Sequence, residues 1–364
     1  MKIIHVIFSL DYGGAETMLV DTMNGQVDFA TVHLMVLNNV VNPHLRDTID
    51  RRVRIHIMGR NEGSQSPFPI MRFIYELYMI GPDIIHCHNA QLTKLLIYPF
   101  AKKYFTMHSS TKIVSWPIRL LKKYDKLIAI SDFVKKDLND AGFGNVETIY
   151  NSIDVEAISS KANYQYDNKN QSFQIVQVAR LEHEIKGQHL LLRALALLLK
   201  QGLNVEVSLI GVGNSKVYLE KLSNDLGIST HVHFLGLKDR AYIYSHLCDY
   251  HLMVHASLCE GFGLTVAEGM VAGLPVVVSK NDGPAEVIGY GKYGYMCEKG
   301  NVDSLYNVIW RIVNNYEANK EFYLRAKTFA QNRYSLKQMM NNLFKVYNDC
   351  LLYTSDAADD LIGV

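Results

Sequence analysis

A chain of 364 residues is long enough for two domains of ordinary size. With 48% hydrophobic and 20% charged residues it is not a disordered chain. The 37 basic side chains are balanced by 36 acidic ones, so the net positive field that a nucleic-acid binder needs is missing.

Short apolar runs with strand character alternate with helical patterns. They fall at 3–8, 31–37, 54–57, 84–88 and 126–130, then at 174–179, 205–210, 232–235, 251–254 and 276–279. This β-α-β alternation predicts an α/β fold of mostly parallel sheets in two doubly wound domains. The polar stretch 159–172, rich in Asn, Gln and Lys, breaks the pattern and is the expected linker, giving domains at 1–165 and 170–335. No repeat of solenoid period is present. Residues 351–364 lack the apolar period of what precedes them and resemble translated adaptor read-through. That tail is expected to be non-native or disordered and is left out of the functional reading.

The first run reads as a strand rather than a secretory signal, being too short for one. The most apolar helical stretch, 189–203, carries Arg193 and Lys200 and is shorter than the roughly 20 residues of a membrane span. Cys87, Cys248, Cys259, Cys297 and Cys350 show neither disulfide nor zinc spacing, which points to a reducing, cytoplasmic compartment. Between 102 and 136, nine lysines and arginines face Asp125 and Asp132 alone, with Trp116, Ile118, Leu120 and Leu121 interleaved. Two readings stand side by side here, a peripheral contact with an anionic membrane and a solvated helix face.

Three glycine-bearing loops follow strand-like runs. The first, Ser9-Leu-Asp-Tyr-Gly13-Gly14-Ala-Glu16, precedes a helix expected at 17–23. The second, Arg180-Leu-Glu-His-Glu-Ile-Lys186-Gly, places two cations near the C-terminal end of a strand and precedes a helix at 188–200. In the third, Cys259-Glu-Gly-Phe-Gly-Leu-Thr-Val-Ala-Glu268, two carboxylates straddle a loop that opens into a helix at about Leu264, with Glu268 expected in its first turn. Free backbone N–H groups at such a helix start attract an anion, and Gly261 and Gly263 allow close approach, so this is a phosphate cradle. The full dinucleotide fingerprint Gly-x-Gly-x-x-Gly is absent, which argues against an NAD enzyme. His86 and His88, two apart in one strand, share a face. With no third ligand at a recognisable spacing, packing or acceptor contact is favoured over zinc.

Gly-Gly-Ala-Glu, the Arg-to-Lys pair and the Glu-x7-Glu element, in this order, resemble the retaining glycosyltransferases of family 4 over roughly residues 1–345. The resemblance implies the GT-B architecture, two Rossmann-like doubly wound domains facing a central cleft, with a last helix at about 336–347 returning to the first domain. It implies transfer of a hexose or N-acetylhexosamine from a nucleoside diphosphate sugar, most readily UDP-linked. The acceptor is a hydroxyl of a glycan or lipid-linked molecule in cell-surface polysaccharide synthesis. No cofactor is implied beyond the nucleotide-sugar co-substrate.

In that scheme Arg180 and Lys186 stabilise charge gathering on the leaving diphosphate. With no Asp-x-Asp triplet in the chain, metal independence is expected. Glu268 accepts hydrogen bonds from the ribose hydroxyls, and the N–H groups of Leu264 and Thr265, beside Gly263, meet the diphosphate. Glu260 holds the sugar hydroxyls or steadies positive charge at the ring. His108, in Thr106-Met-His108-Ser-Ser, touches the transferred sugar, and Gly14 approaches the diphosphate from the first domain. Gly211, Gly213 and Leu237 resemble loops around the base. Asn151-Ser-Ile-Asp154 departs from the family's Asn-Gly-Val-Asp turn at Ser152. Two rival functions remain, a sugar-nucleotide epimerase on the same fold and a catalytically silent nucleotide-sugar-binding scaffold.

Overall fold

The computed structural model describes residues 1–11, 13–112, 114–167 and 170–359, with side chains through 348. The chain forms two units, one of Met1–Ser152 with Leu336 onward, the other of Ile153–Ser335.

In the first unit a seven-stranded sheet is built from β1 (Lys2–Ile7), β2 (Thr31–Asn38), β3 (Arg54–Arg60), β4 (Ile84–Cys87), β5 (Lys102–Met107), β6 (Lys126–Ala129) and β7 (Val146–Thr148). Their order is β3-β2-β1-β4-β5-β6-β7, and every ladder is parallel. In the second unit β8 (Phe173–Val178), β9 (Val205–Ile210), β10 (Val232–Gly236), β11 (Leu252–His255), β12 (Val276–Ser279) and β13 (Tyr295–Cys297) are also all parallel, in the order β10-β9-β8-β11-β12-β13. Both sheets reverse direction of winding once, between β1 and β4 and between β8 and β11. At such a switch point the loops leaving the C-terminal strand ends diverge and open a crevice for a ligand.

The strands read as near-continuous apolar runs because helices cover both faces of a parallel sheet. Ile3, Ile4, Val6 and Ile7 are all buried, and so are Val276, Val277 and Val278. The polar exceptions stand out, since His5, His86 and Gln177 are buried inside strands that offer no water.

The chain passes into the second unit after Ser152, ahead of the polar stretch 159–172. Tyr164 within that stretch is 4% exposed and packs with Phe173, Tyr316 and Tyr323 in the second unit's core, so aromatic burial overrides its polar composition. Three strands escaped the periodicity. β5 opens on Lys102 and Lys103, whose charges mask it, while β7 and β13 have three residues each, too few to show a period.

The helix Leu336–Asp359 packs on the helix Gly14–Gln26 within the first unit. Met340 closes over Gly25, and Phe344 meets Phe29 edge-on at 5.1 Å. The side chains of 351–364, and residues 360–364 altogether, lie outside those described.

The basic stretch is not one amphipathic helix. Lys102 and Lys103 lie on β5, Lys122 and Lys123 on a short 3-10 turn, and Lys135 and Lys136 on the helix Asp132–Asp140. Its apolar members turn inward, with Leu121 fully buried and Trp116 against Phe105 at 6.0 Å. Arg119, Lys122, Lys123 and Lys136 are exposed, while Trp116, Ile118 and Leu120 are half-buried.

Candidate active site

The second unit's switch point brings together the loops after β8 and β11. β8 ends at Val178, and Arg180 follows with its guanidinium in solvent, 3.3 Å from Glu182. One helical turn, His183–Lys186, then carries Lys186 back toward the sheet. Gly187 closes that turn at φ 69° and starts the helix Gln188–Lys200. A side chain there would place its Cβ 1.9 Å from the Ala256 carbonyl oxygen, so only glycine lets the two loops touch.

Two buried amides hold this loop from beneath. Gln177 donates to the Lys186 carbonyl at 2.7 Å, and Gln188 donates to the Arg180 carbonyl at 2.8 Å. Neither glutamine was singled out from the sequence. The signal was a polar residue inside the apolar strand Ile175-Val-Gln177-Val.

Lys186 and Glu260, assigned above to different parts of the donor, are one ion pair and hydrogen bond. His255, the last residue of β11, lies 3.6 Å from the same carboxylate. Burial alone would raise the Glu260 pKa, but His255 and Lys186 outweigh it and hold the carboxyl at about 2. Glu260 is therefore an anion at neutral pH. Its backbone N–H donates to Asp282 at 2.7 Å, Ser257 donates to the other carboxylate oxygen at 2.8 Å, and Gly283 N–H returns to the Glu260 carbonyl at 3.0 Å. Asp282 is 2% exposed and ties the loop after β12 to the loop after β11. Its burial pushes its own pKa up. Sequence reasoning did not assign Asp282 this clamping role.

The helix Leu264–Val271 follows, with Gly263 before it at φ 94°, a left-handed conformation other side chains rarely adopt. The first-turn N–H groups of Leu264 and Thr265 have no intrahelical acceptor. Glu268 is not in the first turn as expected. It opens the second, one turn beyond Leu264 and on the same face, half-buried. Gly211 and Gly213 lie over the loop after β8, where added Cβ atoms would stand 2.1 Å from the Ala179 oxygen and 2.4 Å from the Leu181 oxygen. Leu237 follows β10 and is 56% exposed.

In the first unit the helix after β1 begins at Gly14, earlier than the expected residue 17, and Gly14 itself is exposed. His108 follows β5, and the structure places it at the end of a histidine cluster. His5 Nδ1 is 3.0 Å from His88 Nε2, and His88 Nδ1 is 3.1 Å from His108 Nε2. His86 bonds the Tyr347 hydroxyl and Thr106 Oγ1, each at 2.6 Å. Burial lowers all four imidazoles, His5 and His108 to about 4, so each is neutral at pH 7.

His5 is the third histidine that spacing did not reveal, because it lies on β1, paired in register with His86. The three have nitrogens within 4.8 Å of one another, close enough to consider a metal. Every ring nitrogen of the trio is already engaged in a hydrogen bond, and the rings of His86 and His88 stack at 4.7 Å rather than converging on a point. The arrangement is that of a hydrogen-bond network.

Two parallel sheets, each wound outward from one switch point in Rossmann fashion, form the GT-B architecture. A family model described as Glycosyltransferase Family 4 matches residues 12–157, and one described as Glycosyl transferases group 1 matches residues 160–329. The chain is a glycosyltransferase of the GT-B type.

An uncharacterized glycosyltransferase of Methanocaldococcus jannaschii is 24% identical over 375 residues, covering 96% of this chain and 98% of that protein. A Campylobacter jejuni enzyme is 24% identical over 356 residues, covering 89% of this chain and 93% of its own. It is described as the N-acetylgalactosamine-N,N'-diacetylbacillosaminyl-diphospho-undecaprenol 4-alpha-N-acetylgalactosaminyltransferase. Among solved structures, Anabaena HepE in complex with UDP and glucose superposes with a TM-score of 0.81 at 20% identity, over 96% of this chain and 100% of that one. Among the described residues no helix is long and apolar enough to cross a membrane.

Proposed function

We propose that this is a retaining, metal-independent glycosyltransferase of family 4. It moves a hexose or N-acetylhexosamine from a UDP-sugar to a hydroxyl of a glycan or lipid-linked acceptor in cell-surface polysaccharide synthesis. The observation that carries the proposal is the Lys186–Glu260 pair, held beside the open N-terminus of the helix Leu264–Val271 and locked from behind by Asp282. A fixed cation, two free N–H groups and a permanently ionised carboxylate are the groups that departure of a diphosphate from a sugar requires.

The bond between the anomeric carbon and the diphosphate oxygen breaks, and its electrons stay with the phosphate. Lys186, Arg180 and the N–H groups of Leu264 and Thr265 stabilise that charge. Lys186 serves Glu260 while the donor is absent, and the arriving diphosphate competes for it, freeing the carboxylate for the sugar. Glu268 holds the ribose hydroxyls, and His108 contacts the transferred sugar. The acceptor oxygen bonds to the anomeric carbon on the face the phosphate leaves, and the phosphate takes its proton, so configuration is retained without a dedicated base.

Support for UDP comes from the nucleotide bound to HepE, and support for a lipid-linked acceptor from the diphospho-undecaprenol substrate of the Campylobacter relative. With such an acceptor, exposed Lys122 and Lys123 have an anionic membrane surface to meet.

A thermal-shift panel of UDP-, GDP- and dTDP-sugars tests the donor, since a ligand at about 100 times its Kd adds roughly 2.7 kcal/mol of stability. Incubation with the stabilising donor alone, followed by product analysis, separates transfer from epimerisation. The anomeric proton coupling of the transfer product then reads retention. A panel in which no nucleotide sugar stabilises the chain overturns the proposal, and so does an inverted product.

A further inference from the structure

The hydrogen bonds around His108 form a directed chain with a defined origin. Gln26 is fully buried, and its Oε1 faces His5 Nε2 at 2.7 Å. An amide oxygen only accepts, so His5 carries its proton on Nε2 and its Nδ1 is bare. That bare nitrogen accepts from His88 Nε2–H, which leaves His88 Nδ1 bare, and this in turn accepts from His108 Nε2–H. At the outer end one lone pair is left over. His108 Nδ1 has no hydrogen-bond partner among the described residues, and the residue is half-buried.

The same amide starts a second branch. Gln26 Nε2 donates to the Tyr347 hydroxyl at a long 3.4 Å, Tyr347 donates to His86 Nδ1, and His86 Nε2–H donates to Thr106. Turning the amide over would reverse every bond in both branches and leave His108 with an outward N–H. Two mutually exclusive relays are thus available, and the orientation of one side chain selects between them. Because burial keeps the imidazoles neutral, neither relay is short-circuited by a doubly protonated ring at pH 7.

We propose that Gln26 is a positioning residue: acting through His5 and His88, it holds His108 as the Nε2–H tautomer, so that the bare Nδ1 meets the donor sugar as an acceptor for one of its hydroxyls. The proposal rests on the reading of His108 as the group that contacts the sugar. It adds the sense of that contact, which falls on sugars presenting a hydroxyl donor at that position.

Long-range proton–nitrogen NMR on the full chain with labelled histidine tests it, because the bare and protonated ring nitrogens of each tautomer are read directly. Wild type should show His5, His88 and His108 all protonated at Nε2. Gln26→Met removes the acceptor and strands a buried N–H on His5, so the Nδ1–H form of His108 should rise by about tenfold, the worth of one net hydrogen bond. A wild-type His108 bare at Nε2 overturns the proposal, as does an unmoved tautomer ratio in folded Gln26→Met. Should that variant fail to fold, the wild-type spectrum decides alone. The contact itself is tested separately with UDP-glucose hydrolysis as the probe. A His108→Ala chain that hydrolyses it at the wild-type rate overturns the functional half while leaving the tautomer measurement intact.

Discussion

Replacing Glu260 by glutamine should remove stability from the second unit in a way that depends on pH. A carboxyl that titrates near 4.5 in an unfolded chain and at about 2 in the folded one contributes on the order of 3 kcal/mol at pH 7. The side chain is 22% exposed, so solvent screens little of this. Because the folded pKa lies below the unfolded one, the contribution is present in full above about 4.5 and is lost as pH falls through about 2. By pH 3 it should have dropped to roughly 1.4 kcal/mol.

Losing the partner of Lys186 adds a cost of its own, so the test reads the change of the difference with pH and not its size. That change follows ionisation at the Glu260 site. Urea unfolding read by Trp310 fluorescence in a Trp116→Phe background reports the second unit alone, because the chain has only these two tryptophans. A wild-type minus Glu260→Gln difference that stays level from pH 7 to pH 3 would refute the reasoning, since the pair would then contribute nothing through ionisation.

Four further outcomes are expected. Arg180→Ala or Lys186→Ala should lower turnover by about 100-fold, the loss of one fixed electrostatic donor, while a chelator leaves the wild-type rate unchanged; steady-state kinetics decides both. Glu268→Ala should weaken binding of free UDP, whereas Glu260→Gln should leave it equal or tighten it by releasing Lys186, as titration calorimetry would record. Gly187→Ala should cost about 2 kcal/mol or more, because the left-handed turn and the Ala256 carbonyl both reject a methyl group, and urea unfolding measures it. Lys122→Glu with Lys123→Glu should reduce co-sedimentation with anionic vesicles at low salt; equal sedimentation of both chains at low and high salt would mark a solvated face.

The α/β alternation was legible because a parallel strand covered on both faces is a nearly pure apolar run, and ten of these were visible before the structure. What stayed hidden were strands too short or too charged at one end to carry a period, as at Val146–Thr148 and Lys102–Met107. At the candidate site, the glycines and charges announced themselves through local loop chemistry. The pairing of Lys186 with Glu260 did not, because 74 residues separate them and only the order of β8 and β11 in the sheet brings them together. The histidine network was hidden for the same reason. His5 and His86 looked unrelated until their strands paired, and Tyr347 arrives from the last helix. Gln26 carried no signal at all, since it lies beyond the helix expected at 17–23, where an amide reads as a surface residue.

The return of the last helix has a consequence for how the polypeptide matures on the ribosome. The second unit is one continuous segment, Ile153–Ser335, and can close as soon as it has emerged. The first unit, although made first, must wait for residues beyond Leu336. Until this helix is synthesised, His86 lacks the Tyr347 hydroxyl on its Nδ1, Tyr104 lacks the Tyr347 ring, and Gly25 lacks Met340 above it. At about 5–20 residues per second that delay runs from roughly ten to forty seconds. Throughout it a seven-stranded parallel sheet carries a buried polar cluster with one wall missing. The later-translated half is therefore the earlier to be finished, and holding the nascent amino-terminal half is the step at which a chaperone would matter most.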